Sequence, residues 1–211
     1  MKIIWHGHAC FEIQAEKIVL LDPHDGKSLG IKAPVSRPDI VLISHDHFDH
    51  NAVRVVKGDY AVVKERGEHE IKGIRIRGIE AYHDEVRGSK RGKINLFRFE
   101  VGGAKFLHCG DLGHILGRKE LEAIGEIDIA FIPVGGVFTL NGSQAKELVD
   151  IMKPKVVIPM HYRYGGLSLS IQTIDDFLKK IPQDKIIKVG NEIELTPEEL
   201  PKETEYWVFS P

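Results

Sequence analysis

The feature that most constrains this chain is a polar segment at residues 45–50, which directly follows an apolar run at residues 39–44. The apolar run is continuous and fits a β-strand that is buried on both faces. A strand end leads into a loop at the sheet edge, where functional sites are usually built. The polar segment holds three histidines and two aspartates in six positions, and such groups are costly to bury without a partner. The sequence therefore predicts a metal site here. Its first ligand candidates are His45, His47, Asp49 and His50.

The rest of the chain reads as strands first and as an alternation of strands and helices later. Runs rich in Ile, Val and Phe predict strands at residues 2–6, 11–14, 17–22, 60–63, 74–82, 94–101 and 104–109. Gly102 and Gly103 predict a hairpin turn between the last two strands. The second half predicts helices at 118–124, 143–152 (with Ser143 at its start) and 171–181, and strands at 128–134, 155–160, 186–189 and 193–195. This order favours layered α/β packing, with sheets inside and helices outside.

Three further ligand candidates follow predicted strands directly. His83 comes after the strand at residues 74–82, Asp111 follows the strand at 104–109, and His161 follows the strand at 155–160. If these strands share a direction, their loops converge on one edge of the sheet. Imidazole and carboxylate ligands suit zinc, iron or manganese.

This pattern resembles a known family, the metallo-β-lactamase superfamily. The order of His-x-His-x-Asp-His, a histidine at a strand end, Gly-Asp and a late histidine is typical of it. The chain is most similar to the branch of small zinc-dependent hydrolases, which includes ascorbate-6-phosphate lactonases and N-acyl-phosphatidylethanolamine phospholipases D. The segments that carry this closer resemblance lie at residues 5–11 (WHGHACF), 21–23 (LDP), 108–113 (HCGDLG), 133–136 (PVGG) and 158–162 (IPMHY).

The resemblance implies a fold and a set of ligand roles. The implied fold is α/β, a four-layer αββα sandwich in which residues 1–211 form a single hydrolase domain. The first metal would be held by His45, His47 and His83. The second would be held by Asp49, His50 and His161. Asp111 would bridge the two metals, which we expect to be Zn²⁺, with Mn²⁺ or Fe²⁺ as alternatives.

The chemistry of such a pair of metals agrees with hydrolysis. A water shared by two metals is deprotonated at neutral pH, and the same ions stabilise the oxyanion that forms when the bridging hydroxide attacks. Asp49 is the candidate catalytic residue, because a carboxylate beside the hydroxide can fix its direction and accept a proton.

Several residues near these motifs leave alternatives open. His108 competes with His83 as a ligand of the first metal, and we favour His83, since in the family this ligand precedes Gly-Asp by a full strand or hairpin. His8 either donates a hydrogen bond to a ligand carboxylate or is a structural turn residue. Asp22 either supports a ligand or belongs to a turn. His24, by contrast, is expected at the surface.

Charge and composition narrow the class of partner. The formal net charge is -2, from 29 basic and 31 acidic residues, so no global positive field attracts nucleic acid or anionic lipid. No apolar run approaches the roughly 20 residues of a membrane span, and the first residues turn polar too early for a signal peptide. The two cysteines do not form a disulfide framework. We expect a cytoplasmic protein with a small-molecule substrate and no nucleic-acid partner. The oligomeric state stays open.

The leading hypothesis is hydrolysis of a small anionic ester, lactone or phosphodiester. Guanidinium groups bind phosphate and carboxylate through paired hydrogen bonds. Candidate anchors follow two of the metal ligands along the chain: Arg87, Lys90, Arg91, Lys93 and Arg163. The alternative interpretation of residues 84–93 is an exposed, mobile loop. Alternative functions are a nuclease-type phosphodiesterase and a non-hydrolytic di-iron redox or metal-binding protein.

Overall fold

In the computed structural model, which describes residues 1–210, two β-sheets face each other and enclose the main apolar core. The strands in chain order are β1 Lys2–Gly7, β2 Cys10–Gln14, β3 Ile18–Leu21, β4 Ile40–Leu42, β5 Ala61–Val63, β6 Gly67–Ile71, β7 Ile74–Tyr82, β8 Lys93–Val101, β9 Ala104–His108, β10 Ile129–Pro133, β11 Val156–Met160, β12 Ile186–Lys188, β13 Glu192–Glu194 and β14 Glu205–Val208. The α-helices are α1 Arg118–Ile124, α2 Gly142–Met152 and α3 Asp175–Leu178. One sheet has six strands in the order β13-β1-β2-β3-β4-β5, and the other has eight in the order β12-β14-β11-β10-β9-β8-β7-β6.

Alternation along the six-stranded sheet separates an inner from an outer apolar face. In β3, Val19 and Leu21 belong to the core between the sheets, whereas Leu20 belongs to a second cluster on the outer side. Val41 of β4 joins that outer cluster, while its neighbours along the strand face inward. Because both faces of β4 are buried, the strand appears in the sequence as a continuous apolar run.

The two outer faces of the sandwich are covered differently. On the eight-stranded sheet, α3 packs through Phe177, whose ring lies 5.8 Å from that of Tyr206 in β14, and α1 lies beside β7. The outer face of the six-stranded sheet is covered by a 3-10 turn, Val53–Val55, together with Tyr60. The predicted class of two sheets between outer layers is confirmed, with a thin outer layer on the six-stranded side.

The loops after several strands meet at one edge of the sandwich. β9, β10 and β11 are parallel, and β7 runs in the same direction as β9 because each is antiparallel to β8. The segments after β7, β9 and β11 therefore leave the eight-stranded sheet at the same edge. The segment after β4 reaches this edge from the other sheet, since the N–H of Asn95 in β8 donates a 2.8 Å hydrogen bond to the carbonyl of Ser44.

Some elements differ from the sequence prediction. The strands β6 and β14 are additional, and the predicted helix at residues 171–181 is α-helical only over Asp175–Leu178. The predicted start of α2 at Ser143 was also wrong. The helix begins at Gly142, and Asn141 caps it in a reciprocal pair of hydrogen bonds with Gln144. The predicted hairpin is confirmed, because Val101 pairs with Ala104. Among the described residues, no helix has the length and apolarity that a membrane crossing requires.

Candidate metal centre

Two compact groups of metal-binding side chains lie at the common edge. The first group is His45, His47, His83 and Asp111. The second group is His8, Asp49, His50 and His161. Within each group, one candidate ligand atom per residue lies within 4.8 Å of all the others. Apart from His47, which is half-buried, these side chains are buried. The structure thus brings together every residue that the sequence singled out as a ligand, although their roles at a metal remain predictions.

Asp111 lies between the two groups. Its Oδ2 atom is 3.2 Å from Nε2 of His83 and 3.2 Å from Nε2 of His161, and its Oδ1 atom is 3.1 Å from Nε2 of His50. One carboxylate therefore contacts histidines of both groups. This is the placement that a bridging ligand requires.

The backbone approaches closely where the last ligand is positioned. His161 has a left-handed backbone with φ of 51°, which is uncommon for a residue with a side chain. A Cβ atom on Gly135 would lie 2.1 Å from the carbonyl oxygen of His161, so only glycine fits at that position. The glycine pair after β10 therefore allows the backbone close to the site.

A buried carboxylate, Asp22, fixes the orientation of two of these histidines, His45 and His50. Asp22 is fully buried and accepts hydrogen bonds from the N–H and the hydroxyl of Ser44, at 2.7 and 2.6 Å. It also accepts from Nδ1 of His50 at 2.8 Å and from Nε2 of His108 at 2.9 Å. Because the Ser44 hydroxyl gives its only proton to Asp22, it accepts from Nδ1 of His45 at 2.8 Å. Nε2 of both His45 and His50 is then the ring nitrogen that faces the centre.

The remaining donor atoms indicate that a cation belongs in the centre. His83 donates from Nδ1 to the carbonyl of Phe138 at 3.0 Å, which leaves its Nε2 free to bind. Nε2 of His45 lies 3.0 Å from Nδ1 of His47. Nε2 of His50 and Oδ1 of Asp111 face each other at 3.1 Å, are buried, and have no other hydrogen-bond partner. Buried nitrogen and oxygen donors that converge without other partners fit bound metal, since isolated groups of this kind are costly to bury.

The ionisation states support the same interpretation. Burial lowers the pKa of His45 to about 3, so this imidazole is neutral, which is the form that binds a metal. Burial also opposes the charge on Asp111, but His161 and His50 outweigh it and hold the pKa of this carboxyl well below its usual range. For His50, burial is outweighed by the carboxylates of Asp111, Asp22 and Asp49, and its pKa is raised well above the usual value. The carboxylates thus demand positive charge at the position where the two groups meet.

His8 belongs to the second group, which settles one alternative left open by the sequence. Its Nε2 donates a 3.0 Å hydrogen bond to Oδ2 of Asp49, and its ring lies 4.3 Å from that of His161. Burial lowers the pKa of His8 to about 3, so it donates as a neutral imidazole. His8 therefore supports a ligand carboxylate instead of being only a turn residue.

The structure separates the two histidines that competed for the first metal. His83 belongs to the first group, whereas His108 donates to Asp22 and lies outside both groups. We therefore expect His83→Ala to weaken metal binding far more than His108→Ala does. Loss of a residue that only supports a ligand typically costs about 10- to 100-fold in affinity. Chelator competition measures both affinities, and a reversed order would mean that His108 is the ligand.

One histidine was misplaced by the sequence interpretation. His24, expected at the surface, is fully buried: its Nε2 donates to the carbonyl of His6 at 3.0 Å, and its Nδ1 accepts from the N–H of Gly26 at 3.1 Å. His6 lies in β1 and Gly26 lies in the turn that follows His24. A lone histidine after a proline gave no signal of either contact.

The loop that the sequence assigned to solvent is organised around Asp84. This carboxylate is buried and accepts hydrogen bonds from four backbone N–H groups, those of Val86, Gly88, Lys90 and Arg91. Burial disfavours the charge on Asp84, but these N–H groups outweigh it and lower the pKa of the carboxyl.

The cations of this loop take different positions. The guanidinium of Arg91 lies 4.1 Å above the ring of Phe138, whose carbonyl binds His83. Lys93 pairs with Glu80 at 3.1 Å. Arg87 lines a separate hollow with His114. Arg91 therefore lies beside the residue that binds His83, and Lys93 also lines a small hollow with His45. Arg163 is exposed, and its backbone N–H donates to Gln172.

Comparison with known proteins identifies the family to which this chain is similar. A family model described as a beta-lactamase superfamily domain matches residues 2–161. A UPF0173 metal-dependent hydrolase of Thermoplasma acidophilum is 35% identical over 190 residues, which cover 77% of this chain and 83% of the relative. The resemblance predicted from the motifs is therefore confirmed.

Solved structures extend the comparison to the fold. A protein of Thermotoga maritima, assigned as a Zn-dependent hydrolase of the metallo-beta-lactamase superfamily, is 40% identical with a TM-score of 0.82, over 99% of this chain and 97% of that chain. CmlA, a diiron beta-hydroxylase from Streptomyces venezuelae, has a TM-score of 0.57 and 17% identity, over 76% of this chain and 44% of that chain. At this identity the second likeness shows the fold alone.

Proposed function

This chain belongs to the beta-lactamase superfamily, and from that premise we propose that it is a metal-dependent hydrolase that uses two divalent cations to cleave a small anionic ester, lactone or phosphodiester. The observation that carries the proposal is the position of Asp111, whose carboxylate contacts His83 of one group and both His50 and His161 of the other. A shared carboxylate between two sets of converging histidines is what a binuclear centre needs.

The residues are suited to hold the two cations. Those proposed for the first metal are His45, His47 and His83. Those proposed for the second are Asp49, His50 and His161, with Asp111 shared. When bound, such a pair of cations supplies a water of lowered pKa and positive charge that stabilises a developing oxyanion. We propose Zn²⁺ as the native metal because imidazole and carboxylate donors suit it, and Mn²⁺ and Fe²⁺ satisfy the same donors.

Asp49 is the residue that we propose to handle the proton. His8 donates to its Oδ2 atom and thereby holds the plane of the carboxylate. Burial opposes its charge, but His50 and His8 outweigh burial and keep the pKa of Asp49 well below its usual range. The carboxylate is therefore ionised at neutral pH. It accepts a proton from the attacking water and passes it toward the leaving group.

Purified protein tests this function directly. Metal-stripped protein is reloaded with Zn²⁺, Mn²⁺ or Fe²⁺ and assayed against a phosphodiester, a lactone and a thioester. Elemental analysis and an absorption spectrum follow the metal. We expect hydrolysis of at least one class to rise with metal occupancy. Oxygen consumption by an iron-loaded protein that hydrolyses none of these compounds would contradict the proposal and favour the di-iron alternative.

The preference for an anionic substrate rests on two arginines. Arg91 lies against Phe138 beside His83, and Arg163 follows His161 by two residues. A guanidinium hydrogen-bonds a phosphate or carboxylate in a bidentate manner and keeps its charge at every accessible pH. Either arginine can therefore anchor the anionic end of a substrate while its scissile bond lies at the metals.

We expect Arg163→Ala and Arg91→Ala each to raise the KM for an anionic substrate by about 10- to 100-fold, the usual cost of a lost hydrogen bond to a charged group. The KM for a neutral ester should change little, because no charge is recognised there. Arg87→Ala, from the same loop as Arg91, is the matched control. Equal losses on anionic and neutral substrates would mean that these arginines support the structure and recognise nothing.

A further inference from the structure

A second feature of the site edge is a cavity of about 590 Å³ beside the end of β1. This volume lies within the roughly 300–1,000 Å³ of sites that bind small molecules. It is lined by the end of β1, by residues 30–33 and 35, by residues 164–166 after β11, and by Asn191. Its side-chain walls are mainly apolar or aromatic, and they come from Trp5, Ile31, Ala33, Val35 and Tyr164.

The cavity lies one residue away from the second metal-binding group. One of its aromatic walls holds the backbone of His8, because Trp5 donates from Nε1 to the His8 carbonyl at 3.1 Å. On its other side, His8 donates to Asp49, and its ring lies 4.3 Å from that of His161, tilted by 45°. His8 thus lies between the cavity wall and two proposed ligands, Asp49 and His161.

Two wall residues pack closely against Gly7 at the floor of the cavity. This residue has φ of 97°, and a Cβ atom there would lie 2.5 Å from the Tyr164 hydroxyl and 2.9 Å from the end of Ile31. The rings of Trp5 and Tyr164 are 4.8 Å apart and tilted by 55°. Together they present an apolar surface to whatever enters.

The chemistry of the walls selects the type of ligand. Lys32 is the exposed cation among the lining residues, and His6 is already paired with Glu12 at 3.2 Å. The interior therefore offers burial to an alkyl or aryl group, while the metal-binding groups next to it attract an anion. An apolar group gains from such burial in proportion to the area that it removes from water.

We infer that this cavity receives the apolar, non-reacting part of the substrate, so that the substrate class is an amphiphilic ester or phosphodiester with an alkyl or aryl group beside its anionic centre. This inference rests on the proposed function for the position of the scissile bond. It adds the chemical class of the group next to that bond.

The test uses linear alkylphosphonates, which are anions that cannot be hydrolysed. Calorimetric titration of the metal-loaded protein compares methyl- with hexylphosphonate. We expect affinity to rise by roughly threefold to fourfold for each methylene group that the cavity buries.

Ala33→Trp and Ile31→Trp fill the cavity and should remove this dependence on chain length while the affinity for methylphosphonate stays. Ile151→Trp is the matched control, because Ile151 is an exposed residue of α2. Two filling variants are used so that the test still gives a result if one of them fails to fold, which its melting temperature would show.

The outcomes separate this inference from the proposed function. A wild-type protein that binds both phosphonates equally, or neither, would overturn the inference, as would an unchanged chain-length dependence in both folded filling variants. Binding is measured without turnover. A protein that binds hexylphosphonate as expected but hydrolyses no ester would overturn the proposed function and leave the cavity as a binding site.

Discussion

The double variant His45→Ala with His161→Ala is expected to lose both metals, so that metal content falls from about two per chain to nearly none. Each substitution removes a ligand from a different group. Asp111 contacts histidines of both groups, so neither remaining set keeps its geometry once one partner of the shared carboxylate has gone. Elemental analysis after dialysis gives the result.

The control for this experiment is His69→Ala. His69 lies in β6, and its ring bonds the carbonyl of Glu65, so its loss removes an imidazole without touching the proposed centre. The melting temperature of each variant shows that the chain still folds. A full metal complement in the folded double variant would rule out the ligand assignment. Loss of metal from the control would mean that binding is nonspecific.

The parts of this fold that the sequence predicted are those whose burial follows one local rule. β4 reads as a continuous apolar run because both of its faces are covered, and β8 with β9 reads as a hairpin because glycines separate them. β6 was missed because three of its five residues are charged or polar and because it lies at the edge of the sheet. An edge strand of this kind lacks the alternation that identifies a half-buried strand.

The convergence of the ligand candidates could be anticipated for a similar reason, because each candidate follows a strand and parallel strands end at one edge. The groups that orient them, His8 and Asp22, could be named from the sequence only as open alternatives. Asp22 meets His50 and His108 across sequence separations of 28 and 86 residues. No local pattern encodes such contacts.

The positions of the basic side chains in the loop after His83 also could not be predicted from the sequence. Sequence treats Arg87 and Arg91 as equivalent neighbours. The turn around Asp84 directs Arg91 onto Phe138 and Arg87 into another hollow. Which cation serves the site is therefore a property of the loop conformation, and a count of basic residues cannot reveal it.

The second large effect is expected from Asp49→Asn, which should lower turnover by roughly 100- to 10,000-fold, the usual cost of a lost general base. Metal content should stay close to that of the wild type, and the structure gives the reason. His8 donates its Nε2–H to Oδ2 of Asp49, so it selects the amide orientation that places oxygen at that position. The amide oxygen can then still ligate a cation. The amide nitrogen takes the place of Oδ1, where it can accept no proton.

Asp46→Asn is the matched control for this variant, because it makes the same chemical change in the same ligand segment. Asp46 is exposed and accepts a hydrogen bond only from Asn51 at 3.2 Å. We therefore expect its turnover to stay near that of the wild type. Metal content and kcat are measured on the same preparations, so that loss of a ligand is distinguished from loss of a base. Near-normal turnover in metal-replete Asp49→Asn would remove Asp49 from the mechanism. A parallel loss of metal and activity would make it a ligand that handles no proton.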